Sequence, residues 1–220
     1  MTLTLHSHPF ASYCWKALIA LYERDLSFVA REVGGEDDRA RLAELWPFAT
    51  MPVLADDADG VSVAESTIVI EYLDRFGDAA PLIPADPDAA LQARLWDRAM
   101  DGQVHTPMQK IVHDNLRPEG SSDSYGVEQA KTKLDLVYPI LDTRLRDVPW
   151  MAGESFTLAD CAAAPALYYA RVVHRWDEKR YDGLTHYFDT LVDRPSVARV
   201  IDEARPFRQF LPLPWPEYAQ

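Results

Sequence analysis

Cysteine is nearly absent: Cys14 and Cys161 are the only two in 220 residues, far apart and without a CxxC partner. That excludes a disulfide framework and a cysteine-built zinc site, and makes a reducing, cytoplasmic setting the default expectation. Basic charge is also short. Twenty-two Lys and Arg face thirty-five Asp and Glu, a formal charge of −13, which repels nucleic acid and anionic membranes, so neither is expected as a partner. No apolar run approaches the roughly 18 residues of a membrane span, and the opening Met-Thr-Leu-Thr-Leu lacks a basic region followed by an apolar core, so neither a span nor a secretion signal is expected. The six histidines form no i, i+4 pair and no HExxH, so no metal site is expected. The nine glycines include no phosphate-binding loop, and no internal repeat is visible.

What is present is enough apolar material, 48% of the residues, to fill one core or two modest ones. Residues 2–6 alternate as a half-buried strand, a helix comes next with Ala17, Leu18, Leu21 and Tyr22 at helical spacing, and residues 27–33 read as a second strand closed by Gly34 and Gly35. A short helix through Leu45 leads to the stretch that organises the chain, residues 46–71. There a strand starts at Pro52, an acidic turn runs from Asp56 to Gly60, a strand occupies 61–64, and a helix opens at Glu65 and Ser66. Proline cannot donate to a sheet ladder, so Pro52 belongs at a strand's first residue or edge, with Met51–Pro52 a candidate cis bond. Backbone groups at Met51 and Val53 are then free for a ligand. A helix opening at Ser66 points unpaired N–H groups and a hydroxyl outward, which suits a carboxylate, and Glu65 suits an ammonium group; one zwitterionic amino-acid end fits there. Taken singly, each feature reads more readily as an ordinary turn or cap.

Residues 79–87, with Pro81, Pro84 and Pro87, form a short stiff linker, and everything after it reads as helical. Residues 89–117 are expected as one long helix with a stripe of Trp96, Met100, Val104, Met108 and Ile111, bent near Gly102 to Pro107 because proline lacks the N–H that helix geometry needs. After a polar loop, a helix runs over about 127–145. Thr157 and Asp160 form a capping box, flanked by Phe156 and Cys161 at the staple positions. The aromatic and proline-rich tail, residues 206–220, is placed across the boundary between the two halves.

The order and spacing of Pro52, Glu65 and Ser66 resemble the glutathione site of the cytosolic glutathione S-transferase family, where a cis-proline follows a loop and a Glu/Gln–Ser pair opens the third helix. The Thr157–Asp160 box and the helix start at Arg194 and Pro195 are similar to that family's second half, so the resemblance spans about residues 3–204. It implies an α/β thioredoxin-like glutathione-binding domain over residues 1–80 and an all-α domain over 86–220 that walls an electrophile site. It also implies a homodimer and glutathione as co-substrate, its thiolate adding to a small hydrophobic electrophile. Glutathione-dependent peroxide or disulfide reduction, isomerisation, and catalytically weak ligand binding stay open as alternatives. The implied glutathione-binding residues are Thr50, Met51, Pro52, Val53, Glu65 and Ser66, and the electrophile pocket takes Phe10, Val104, His105 and Met108.

At the catalytic corner the chain departs from the family pattern. Ala11 stands at the expected serine, and only the second of the two cysteines of glutaredoxin-like members has a counterpart, Cys14, which is expected to pack inertly. Ser12, one residue on and in the first turn of its helix, is the implied catalytic residue, its hydroxyl and nearby N–H groups stabilising a thiolate; a plain helix cap is the alternative. The Tyr13 phenol and backbone N–H groups are alternative thiol contacts, although the neighbours of Tyr13 predict that it faces outward. Thr50 replaces the Lys or Gln that commonly precedes the proline, and Ala49 stands where glycine is frequent.

Overall fold

The computed structural model describes residues 2–211, 213 and 215. Its first part is a four-stranded mixed sheet in the order β2, β1, β3, β4, built from β1 (Leu3–Ser7), β2 (Phe28–Glu32), β3 (Val53–Asp56) and β4 (Val61–Ala64). β1 pairs parallel with β2 and antiparallel with β3, so that Leu5 lies opposite both Ala30 and Leu54. The alternation of β1 sends Leu3, Leu5 and Ser7 inward. Edge strand β2 is mostly exposed. Two helices, α1 (Ser12–Glu23) and α3 (Ser66–Leu73), pack against each other and share a core with Leu3, Leu5 and Leu54. A third, α2 (Glu36–Leu45), closes a separate small cluster of Val33, Leu42 and Val53. This is the strand and helix order expected of a thioredoxin-like α/β unit.

The rest is helical: α4 (Pro87–Ala99), α5 (Thr106–Asn115), α6 (Ser124–Leu145), α7 (Leu158–Val173), α8 (Asp182–Val192) and α9 (Pro195–Ala204), with a 3₁₀ turn at Arg205–Phe210. Every residue of α7 from 158 to 171 is buried, and the helix packs on α1, α4, α5 and α8. A helix apolar on all sides has no choice but the centre. One continuous core therefore runs from Leu3 to Ala204. The capping box forms: Asp160 Oδ2 accepts from Thr157 N at 2.8 Å, and Thr157 Oγ1 accepts from Ala159 N at 3.3 Å.

The single bent helix expected over 89–117 is corrected in one respect. The bend is a π-helical segment, Met100–His105, between α4 and α5. Pro107 cannot supply a backbone N–H to the turn before it, and a wider turn accommodates the missing bond. Met100, Val104, Met108 and Ile111 of the expected stripe are buried. Of the tail, Trp215 lies 6.0 Å from Phe10 and 6.4 Å from Tyr169 between ring centroids, touching both halves of the chain. Residues 212, 214 and 216–220 of that expectation lie outside the described residues.

Candidate functional site

A cleft with two lobes opens between the sheet's loops and the α4–α5 segment. The polar lobe, about 430 Å³, is lined by Thr50, Met51, Pro52, Glu65 and Ser66, which sequence reasoning grouped, and by Tyr13, Arg98 and Asp101, which it missed. The Met51–Pro52 bond is cis. Val53 is buried in β3 behind Pro52, paired with His6 and Ala64. Two non-glycine residues flanking this lobe are left-handed: Ala49 at φ +50° and Glu65 at φ +66°. Such a conformation costs roughly 1–3 kcal/mol and concentrates at functional sites. It also explains why glycine suits position 49. Thr50 accepts a hydrogen bond from Trp46 Nε1 at 3.1 Å.

Beneath this lobe a charged cluster is buried. Lys16 Nζ donates to both oxygens of Asp101 at 3.0 Å and to Thr67 Oγ1 at 3.1 Å, while Thr67 donates to Asp97 Oδ2 at 2.8 Å. Burial pushes the Asp101 carboxyl above its usual range, with the Lys16 charge opposing. Arg98 stands 3.8 Å from Asp101 on the solvent side. Arg98 and Asp101 sit three apart on the helix beside the apolar stripe, a spacing visible in sequence but identical to that of any solvated helix face.

The apolar lobe, about 310 Å³, is lined by Phe10, Ala11, Ser12 and Met108, with Gln109 and His113 from one face of α5. Val104 and His105, grouped with this pocket from sequence, are fully buried behind its wall. Tyr13 and Met51 line both lobes, which therefore meet there. The expectation that Tyr13 faces outward is corrected. Its ring stacks on His105 at 3.9 Å and 10°, held by an imidazole that no local pattern places there.

Ser12 Oγ lies 2.7 Å from His105 Nε2. Burial, aided by the Lys16 charge, pulls the His105 pKa down to about 3, so the imidazole is neutral at working pH. Burial and the Asp101 charge push Tyr13 up to about 12, keeping its O–H protonated. Cys14 is fully buried and pushed up to about 12 by burial, as inert as sequence reasoning expected. Backbone N–H groups at the start of α3, the Ser66 hydroxyl and the Glu65 carboxylate can hold a zwitterion, beside an apolar lobe bearing a hydroxyl. Among the described residues, no group of three or more His, Cys, Asp or Glu could hold a metal ion, and no helix is long and apolar enough to cross a membrane.

Similarity to known proteins agrees with this geometry. Residues 5–78 match the profile "Glutathione S-transferase, N-terminal domain", and residues 124–190 match "Glutathione S-transferase, C-terminal domain". Glutathione S-transferase U22 of Arabidopsis thaliana is 31% identical over 149 residues, 67% of this chain but only 64% of that relative. A stringent starvation protein A homolog of Coxiella burnetii is 27% identical over 166 residues, 76% of this chain and 75% of that one. A Methylobacillus flagellatus glutathione S-transferase crystallised with glutathione bound superimposes with a TM-score of 0.80 at 28% identity, covering 90% of this chain and 98% of that one. With both domain profiles matched in order and the fold shared over nearly its whole length, the chain belongs to the glutathione S-transferase family.

Proposed function

We propose that this chain binds glutathione and adds its thiolate to a small hydrophobic electrophile. The observation that carries the reading is the junction of the two lobes at Tyr13 and Met51, where a zwitterion-holding lobe opens onto an apolar one with Ser12 in its wall. In this reading residues 1–80 form the glutathione-binding unit and 86–220 the wall of the electrophile site. The γ-glutamyl carboxylate takes the N–H groups of α3 and Ser66, the ammonium takes Glu65, and Thr50, Met51 and Pro52 hold the peptide between, with the buried Val53 supporting Pro52 from behind rather than lining the lobe as sequence reasoning expected. Phe10 and Met108 bound the electrophile, with Val104 and His105 supporting them from behind. A free thiol near pKa 8.5 is mostly protonated at neutral pH, so the protein must favour the thiolate by a unit or two, about 1.4 to 2.8 kcal/mol. Ser12, as the catalytic hydroxyl, supplies that by donating to sulfur.

Turnover of 1-chloro-2,4-dinitrobenzene set beside hydroperoxide turnover, with calorimetry of glutathione binding, tests this. Conjugation supports a transferase, and hydroperoxide reduction alone moves the chain to a glutathione peroxidase or reductase. Absence of glutathione binding overturns the reading. Ala11 at the usual serine and the similarity to a stringent starvation protein A homolog favour, as a second reading, a binder without turnover.

The working unit we propose is a cytoplasmic homodimer. Its support is a set of exposed apolar side chains, Phe48, Ile68, Leu91 and Leu95, on the loop before Pro52 and on α3 and α4. Light scattering checks it, and a mass near 24.9 kDa at micromolar concentration overturns it.

A further inference from the structure

The Ser12 hydroxyl has one hydrogen, and a donor role toward sulfur requires that hydrogen to point into the cleft. What decides its direction is the group on its other side, His105 Nε2, at 2.7 Å. The imidazole is fully buried, and its Nδ1 has no hydrogen-bond partner. A neutral ring carries one N–H, on Nδ1 or on Nε2. With the proton on Nδ1, a buried donor is left without an acceptor, and Ser12 must point its hydrogen at Nε2, away from the cleft. With the proton on Nε2, that donor is satisfied by Ser12 Oγ, and Nδ1 keeps only an unfilled lone pair. Orphaned buried N–H groups are the rarer and costlier of the two defects.

The fold holds the ring for this contact. His105 ends the π-helical segment Met100–His105. One extra residue in a turn rotates the residues after it by about 100° relative to an uninterrupted helix, and this sets which side chain meets Ser12. Tyr13 then stacks on the ring at 3.9 Å and fixes its plane. Burial, and then the nearby Lys16 charge, disfavour a second proton on the ring.

We infer that His105, in its Nε2–H tautomer, donates to Ser12 Oγ and so aims the Ser12 hydroxyl hydrogen into the cleft toward the glutathione sulfur; His105 is a positioning residue, and the inference rests on the glutathione-binding reading of the cleft.

Two measurements test it. Nitrogen NMR of the full chain labelled with ¹⁵N-histidine reads the tautomer without any ligand or variant. Protonated Nε2 with bare Nδ1 is expected for His105, and the reverse overturns the inference. The ultraviolet absorbance of the thiolate is then titrated with bound glutathione in wild type, Ser12→Ala, His105→Phe and His105→Gln. Ser12→Ala and His105→Phe are each expected to raise the bound thiol's pKa by about one unit, with no further rise in the double variant. His105→Gln, whose amide nitrogen reaches the Nε2 position, is expected to recover most of that shift, which a purely space-filling role would not predict. A shift in Ser12→Ala with none in His105→Phe or His105→Gln overturns the inference while leaving the thiol site standing. Unchanged titration in Ser12→Ala overturns the Ser12 role and this inference with it. Calorimetry on the wild type separates both from a chain that does not bind glutathione at all.

Discussion

Lys16 Nζ and Asp97 Oδ1 stand 2.8 Å apart with no solvent exposure on either side chain, directly beneath the polar lobe. The same ammonium also donates to Thr67 Oγ1 and to both oxygens of Asp101. One buried cation therefore faces two buried carboxylates. Lys16→Met strands Asp97 and leaves Asp101 only the exposed Arg98 at 3.8 Å, and breaking such a buried pair costs roughly 3 to 5 kcal/mol. Urea unfolding measures it, and the Lys16→Met/Asp101→Asn double variant should lose less than the two single losses combined.

Glutathione affinity should fall by roughly 1 to 3 kcal/mol in Glu65→Ala and in Ser66→Ala, because each removes one partner of a charged ligand group. Calorimetry reads both. Unchanged affinity in the two variants removes the zwitterion from the start of α3.

Ser12→Ala should lower kcat/KM toward 1-chloro-2,4-dinitrobenzene by about 10- to 100-fold, the equivalent of one to two pKa units of thiolate stabilisation. Residual turnover is expected to persist, since Tyr13 and backbone N–H groups still border the junction of the lobes. Steady-state kinetics at saturating glutathione makes the comparison. An unaltered kcat/KM returns Ser12 to the role of a helix residue.

Acid stability should carry the signature of His105. Its pKa is about 3 in the folded chain against an ordinary imidazole value of 6.5, so between those values the unfolded chain binds a proton that the folded chain refuses. Stability is then fully present above pH 6.5 and is lost as pH falls toward 3. At about pH 4.5, roughly two units below the unfolded value, the loss is about 2 to 3 kcal/mol. His105→Gln has no such proton, so its unfolding free energy should fall less than the wild type's between about pH 7 and pH 4.5 in paired urea titrations. Equal slopes would mean the imidazole titrates normally.

Asp160→Ala should destabilise far more than Thr157→Ala. The threonine supplies one cap contact, worth about 1 kcal/mol. Asp160 accepts from Met151 N at 2.8 Å, Thr157 N at 2.8 Å, Tyr187 Oη at 2.7 Å and Thr157 Oγ1 at 3.2 Å, all buried, and removing it takes the acceptor from four donors, at about 1 to 3 kcal/mol for each left unsatisfied. Thermal or urea unfolding ranks the two.

What the sequence determined by itself is local or periodic. Alternation along residues 2–6, the proline at 52, the Glu65–Ser66 helix start and the Thr157–Asp160 box each act within a few residues, and each formed where the pattern placed it. The burial of Met100, Val104, Met108 and Ile111 along the π-helical segment and α5 follows the expected stripe, since any amphipathic helix must cover such a face. What only the tertiary structure decided is which distant side chains meet. Ser12 and His105 are 93 residues apart, Lys16 and Asp101 are 85 apart, and no period links either pair. The expectation of an outward Tyr13 was overturned for the same reason: a ring's orientation depends on what stacks on it, and His105 reaches Tyr13 only through a π turn that sequence periodicity does not register. Local sequence chooses the elements because backbone hydrogen bonds and steric preferences are short-ranged, whereas a site's chemistry depends on burial and pairing that exist only once the helices have packed.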